Sequence, residues 1–126
     1  MPRIFTYSDF ADKNALVKTY ADKHTPVVLC NDTAVRNELF SVKVRIGTDA
    51  KHPNISVHHF EYIQLWNLET LVGEVRLEQN NYTKEPIQIE VDFYLKPTLS
   101  MRLMALAYCN KHGLWRSEER FVKIKD

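Results

Sequence analysis

The sequence predicts an all-β chain, an antiparallel sandwich or barrel. Two observations carry this: short segments of alternating or β-branched residues recur along most of its length, and polar turns rather than helical repeats separate them. In the clearest segment, residues 87–95, Ile87, Ile89, Val91, Phe93 and Leu95 alternate with Gln88, Glu90, Asp92 and Tyr94. That is the period of a strand with one buried face.

Taken in order, residues 8–20 space Phe10, Ala11, Ala15, Leu16 and Tyr20 unevenly, enough for a short helix or turn. The signal changes from Val27. Residues 41–46 set Val42, Val44 and Ile46 against Ser41, Lys43 and Arg45, a half-buried strand closed by Gly47, Thr48 and Asp49. Residues 58–66 are aromatic and β-branched, and 71–77 read as a further strand. A polar turn over 79–84 leads into 87–95. Residues 101–108 form another apolar strand, 109–113 a loop, and 114–124 a last strand or a pair of short ones. About seven strands result, with no internal repeat, low-complexity tract or linker.

At 126 residues the chain fits one domain, 1–126, with residues 1–20 as an N-terminal extension whose structure the sequence does not decide. Hydrophobic residues at 44% and charged residues at 26% argue against disorder. Seventeen basic against sixteen acidic residues leave a formal charge of +1, so no broad basic surface is offered to nucleic acid, and any attraction of anions is local. The start, MPRIFTYSDF, lacks an apolar stretch of signal-peptide length, and no later run reaches membrane-spanning length. The expectation is a cytoplasmic protein without a membrane partner, in which Cys30 and Cys109 are free thiols.

The five histidines, His24, His52, His58, His59 and His112, then carry the most information, because imidazole and thiolate are common ligands of redox metals. Cys109 and His112 form a Cys-x-x-His at the end of an apolar strand. His52 and His58 flank a short segment in which Pro53 biases His52 to an extended backbone, and His24 stands similarly before Thr25 and Pro26. Histidine-bearing loops at strand ends suit a metal site on a β scaffold. Spacing alone explains the pattern equally well as scattered surface histidines and a buried thiol.

Resemblance decides between them. Asp-Lys-His-Thr-Pro-Val-Val at 22–28, His-Pro-Asn at 52–54, His58-His59 before an aromatic-rich strand, and Tyr-Cys-Asn-Lys-His-Gly-Leu-Trp at 108–115 resemble, in order, the superoxide reductases, the neelaredoxin and desulfoferrodoxin group. The resemblance covers residues 22–119. It implies a seven-stranded immunoglobulin-like antiparallel β-sandwich and one iron per chain, held by His24, His52, His58 and His112 with Cys109 as the axial thiolate. It further implies that His112 binds through Nδ1 and the other three through Nε2, with the sixth position open. The implied activity is one-electron reduction of superoxide to hydrogen peroxide, with iron re-reduced by an external donor such as rubredoxin. A homodimer or tetramer is implied as well. No four-cysteine pattern precedes His24, so the one-iron type is the one resembled.

Lys23 matches the family lysine beside the open site, a cation that draws in the superoxide anion; a solvated lysine is the plainer reading. Asp22 stands where the family usually has a glutamate able to take the sixth position. It is one methylene shorter, so an exposed carboxylate or a partner for Lys23 competes with ligation. His59 adjoins His58 and should point to the opposite face, outside the ligand set. Cys30 reads as strand-end packing, and Trp66 and Trp115 as core or site-wall aromatics. The rivals are a blue-copper electron carrier, which needs a methionine that does not follow His112, and a structural zinc site, which leaves one proposed ligand idle. Met101 and Met104 read as core.

Overall fold

The computed structural model describes residues 3–11, 14–48, 50–78 and 85–126; the turn expected over 79–84, and Asp49, lie outside them. Among the described residues, ten strands and two helices follow in the order β1 Ile4–Phe5, α1 Ser8–Ala11, α2 Ala15–His24, β2 Pro26–Leu29, β3 Thr33–Val35, β4 Phe40–Ile46, β5 Phe60–Asn67, β6 Thr70–Arg76, β7 Glu90–Leu95, β8 Met101–Cys109, β9 Gly113–Arg116 and β10 Arg120–Lys125. The all-β sandwich is as expected. The segments read as strands are β4 to β10, and β1, β2 and β3 add two to four residues each.

One sheet orders β2-β4-β7, antiparallel throughout. The other is built on β8. One edge of β8 pairs with β5, which carries β6 on its far side; the opposite edge pairs first with β10 at residues 101–103 and then with β9 at 106–109. Two short outer pairings are parallel, β1 on β9 and β3 on β10, where the expectation was antiparallel pairing alone. Each joins segments far apart in sequence, so local patterning does not report it.

The alternation in β4 decides its register: Val42, Val44 and Ile46 are fully buried while Ser41 is exposed. They face Ile63 and Leu65 of β5, Leu103, Ala105 and Ala107 of β8, and Val122 of β10, forming one core between the sheets. Fully burying each of the larger aliphatic side chains contributes about 1.5–3 kcal/mol. The alternation over 87–95 is also present, although the regular strand begins at Glu90. Before it, Ile87 makes an isolated bridge with His52, and Ile89 accepts a hydrogen bond from the Ile46 amide.

The main departure is α2. The short helix or turn expected over 8–20 is two helices, and the second runs four residues further, so that His24 ends a helix rather than sitting in a strand-end loop. Lys18 N donates to Asn14 O at its start, and Pro26, opening β2, stops it within two residues. The helix buries Ala21 and His24, three residues apart on one face. A histidine does not register as an apolar position, which is why the helical period is faint.

Candidate metal centre

Four places in the chain deliver the five candidate donors to one end of the sandwich. His24 is the last residue of α2. His52 lies in extended chain, held in place by its backbone bridge to Ile87. His58 closes the turn Ile55–His58, whose two residues exchange backbone hydrogen bonds of 3.1 and 3.0 Å. Cys109 is the last residue of β8, not the start of a loop, and three turn residues carry the chain through His112 to Gly113, which pairs back with Cys109. The φ of +90° at Gly113 suits glycine and lets this hairpin close tightly.

The donor atoms converge. One ligand atom each from His24, His52, His58 and Cys109 lie within 4.8 Å of one another. Donors on opposite sides of an ion bound at ~2.0–2.3 Å are roughly 4–4.6 Å apart, so this spacing suits a single ion. His112 joins the group through Nδ1, 3.1 Å from His24 Nε2 and 3.8 Å from Cys109 Sγ, and His52 Nε2 is 3.6 Å from the same sulfur. The four rings form a closed circuit with centroid separations of 4.9, 4.5, 4.7 and 4.7 Å for 24–52, 52–58, 58–112 and 112–24. Each ring stands within 16° of perpendicular to its neighbours, at 78°, 74°, 78° and 74°, and His24 and His58 face each other across the circuit at 6.2 Å.

Hydrogen bonds fix which nitrogen faces inward. His24 Nδ1 lies 2.7 Å from the Tyr20 carbonyl, one helical turn back, and His52 Nδ1 lies 2.6 Å from the Pro53 carbonyl. A carbonyl only accepts, so each Nδ1 carries the proton and each Nε2 is left as a lone-pair donor. His58 Nε2 is buried with no hydrogen-bond partner at all. An orphaned buried nitrogen costs free energy unless something electrophilic completes it. Two ring nitrogens 3.1 Å apart, a third unpartnered and a thiol beside them form the donor set of a cation site, and the residues fit a metal ion.

Electrostatics agree. Burial, opposed only by the Tyr20 carbonyl, lowers the His24 pKa to about 4, and burial followed by the neighbouring His24 lowers His52 to about 3. His58 and His112 are lowered too, first by burial, then by His112 and the Lys111 charge for His58 and by the Lys111 charge for His112. All four therefore favour the neutral, ligating form at neutral pH. Burial pushes the Cys109 thiol up, against the amides of Lys111 and His112, which stabilise the thiolate. Without a cation this sulfur keeps its proton.

The surrounding wall is aromatic. Trp115, fully buried, stacks on His24 at 5.1 Å and 17° and donates from Nε1 to the His112 carbonyl at 3.2 Å. Phe60 packs 4.5 Å from His52, and Tyr20 meets His112 edge-on at 4.6 Å. Trp66 lies apart on β5, with its Nε1 on Gln64. A cleft lined by Tyr20, Lys23, Pro53, His58 and His112 opens over the rings, and exposed Lys23 sits at its edge.

His59 lies outside the cluster: buried, its Nδ1 is 3.0 Å from the Ile55 carbonyl and its Nε2 3.9 Å from Glu61. It and His58 precede β5 rather than belonging to it, because the Ile55–His58 turn takes them out of the strand. Cys30 is half-buried at the end of β2, its carbonyl bonded by Arg120. The Asp22 carboxylate is engaged by Tyr7, Thr48 and Lys18. Burial raises its pKa, but those hydrogen bonds outweigh it and hold the group below its ordinary value.

Asn110 and Tyr20 are site residues that sequence reasoning passed over. Asn110 Oδ1 accepts from the His59 amide at 2.8 Å, its Nδ2 donates to the Val57 carbonyl at 3.2 Å, and its own amide donates to the His59 carbonyl at 3.0 Å. One side chain thus staples the His58 turn to the Cys109 hairpin. Its place inside the Cys-x-x-His motif was the available signal.

Comparison with known proteins identifies the family. The family model for desulfoferrodoxin matches residues 16–118, a span that contains all five candidate donors. The superoxide reductase of Thermococcus kodakarensis is 35% identical over 103 residues, covering 77% of this chain and 85% of that protein. That of Pyrococcus furiosus is 36% identical over 114 residues, covering 77% and 86%. Among solved structures, the superoxide reductase (neelaredoxin) of Ignicoccus hospitalis superposes with a TM-score of 0.73 at 31% identity, covering 97% of this chain and 95% of that one. The motifs, the sandwich and these relatives agree, and the chain belongs to the desulfoferrodoxin family, the superoxide reductase and neelaredoxin group its sequence resembles.

Proposed function

We propose that this protein is a superoxide reductase with one iron per chain, held by His24, His52, His58, His112 and the Cys109 thiolate. The observation that carries the reading is the ring circuit beside the Cys109 sulfur, whose inward nitrogens present lone pairs with no proton donor from outside the cluster. Iron bound there supplies the one-electron couple that, with two protons, reduces superoxide to hydrogen peroxide. His24 and His52 hold their donor nitrogens through Nδ1 bonds to backbone carbonyls. Cys109 contributes electron density, its thiolate stabilised by the Lys111 and His112 amides. Lys23, at the cleft edge, attracts the anion, and Tyr20 and Pro53 wall the approach.

The donor count exceeds the four of a structural zinc site. A blue-copper site would want a methionine near the sulfur, but β8 sets Met104 five residues and Met101 eight residues from Cys109, roughly 17 and 26 Å along an extended strand. An external one-electron protein such as rubredoxin would return the electron. A cytoplasmic setting suits the two free thiols. In this reading the chain acts as one catalytic domain, with residues 1–20 as an N-terminal extension, in a homodimer or tetramer.

The test is metal analysis of protein from its source, with the visible spectrum of the oxidised form and its response to superoxide. Iron near one equivalent and a thiolate-to-ferric band lost on reduction are expected. Zinc or copper at one equivalent without iron-dependent peroxide formation would overturn the assignment. Lys23→Ala should lower the second-order rate with superoxide and flatten its dependence on salt; an unchanged rate removes the steering role.

A further inference from the structure

We infer that Asp22 is a positioning residue, which clasps the last turn of α2 to the N-terminal segment and to the turn after β4, and that its carboxylate does not ligate the metal. This rests on the metal centre proposed above. On a helix, successive residues turn by about 100°, so Asp22 and His24 point some 200° apart. His24 turns its ring to the cluster, and Asp22 therefore faces away from it.

Both carboxylate oxygens are engaged on that far side. Its Oδ1 accepts from the Tyr7 hydroxyl at 2.9 Å and from the Thr48 hydroxyl at 2.9 Å, and its Oδ2 pairs with Lys18 at 3.2 Å. The backbone repeats the tie. Thr48 N donates to the Asp22 carbonyl and Gly47 N to the Thr25 carbonyl, both at 2.9 Å, capping carbonyls the helix end leaves free. Gly47 adopts a φ of +89°, and a Cβ there would lie 2.6 Å from the Ala50 carbonyl oxygen and 2.9 Å from that of Asp22. Only glycine permits this approach.

Three segments thus meet at one side chain: Tyr7 after β1, the end of α2, and Thr48 after β4. The consequence reaches the metal through the helix. The His24 ring is fixed to its own helix by the Tyr20 carbonyl, so where its Nε2 stands relative to His112 depends on where α2 docks. The clasp sets that docking.

The experiment compares wild type, Asp22→Asn, Asp22→Ala and the double variant Tyr7→Phe/Thr48→Ala. It reads cobalt(II) affinity of the metal-free chain by titration and the visible band of the ferric form. Asn keeps an oxygen to accept from Tyr7 and Thr48, so it should retain affinity within about threefold, while Asp22→Ala and the double variant each lose about 10- to 100-fold. At saturation the ferric band should stay where it is in every variant. A band displaced in both Asp22 variants but not in the double variant would identify the carboxylate as a ligand and overturn the inference. Unchanged cobalt affinity in the double variant would overturn it as well, and this arm stands even if Asp22→Ala fails to fold. Failure of the wild-type chain to bind cobalt or iron is seen in the first titration and counts against the proposed function itself.

Discussion

Metal binding at this site should release few protons, because the protein has already removed most of them. At pH 6, four ordinary imidazoles with a pKa of ~6.5 would together carry about 3 protons, and an ordinary thiol one more, so an unorganised set of these ligands would release about 4 on binding. The folded site differs. His24, lowered to about 4, and His52, lowered to about 3, are already neutral at pH 6. His58 and His112 are lowered as well and contribute less than the roughly 1.5 protons of two ordinary imidazoles. Cys109, raised by burial, gives up one full proton. Release should therefore fall between one and about 2.5 protons per ion. Calorimetric titration of the metal-free protein with cobalt(II) or, anaerobically, iron(II), in buffers of different ionisation enthalpy, reads this number directly. A release near four would refute a pre-formed pocket of neutral rings and imply that the ligands assemble only when the ion arrives.

The same shifts carry a sign for stability. His24 and His52 titrate lower folded than unfolded, so the unfolded chain binds more protons below pH 6.5: the metal-free protein should be fully stabilised above that pH and lose stability as pH falls toward 4. At ~1.4 kcal/mol per unit each, the two cost up to about 4 kcal/mol between pH 6.5 and 5, visible as a lower urea midpoint at pH 5 than at pH 7; equal midpoints would count against buried, neutral rings. Asn110→Ala should leave the His59 amide without its acceptor and free the His58 turn, costing about 1–3 kcal/mol in unfolding and about 10- to 100-fold in cobalt affinity. A variant that melts lower but binds cobalt as wild type would show that Asn110 supports the fold and not the ligands.

What the sequence disclosed and what it withheld divide along a physical line. Strand patterning is local, so the alternation of Val42, Val44 and Ile46, and of the residues from Ile87 to Leu95, could be read directly. The parallel pairing of β1 with β9 joins residues 4–5 to 114–115, and no local period encodes it. The last turn of helix α2, beyond the helix or turn expected over 8–20, escaped because one of the side chains it buries is His24, and burial of a ligand leaves no apolar signature. At the site, residue types were legible through the ordered motifs. The inward-facing nitrogens followed from the resemblance alone and not from spacing, because they depend on carbonyls supplied by the folded backbone at Tyr20 and Pro53.

The bracing residues show a regularity that residue identity alone conceals. Each lies within two positions of a proposed ligand: Asp22, two before His24, and Asn110, directly after Cys109, reach other segments, while His59, directly after His58, holds the Ile55 carbonyl within its own turn. Helix, turn and strand all make this inevitable, because neighbouring side chains point in different directions and only one of them can address the ion. The neighbour is free to tie the segment down. The apolar core of β4, β5, β8 and β10 is formed without the candidate imidazoles and holds most of the buried hydrophobic side chains, whereas the braces govern how these short segments present their donors. Substitutions at the braces should therefore weaken metal binding as well as the fold, whereas substitutions such as Leu103→Ala in the core should weaken the fold and leave metal binding nearly unchanged.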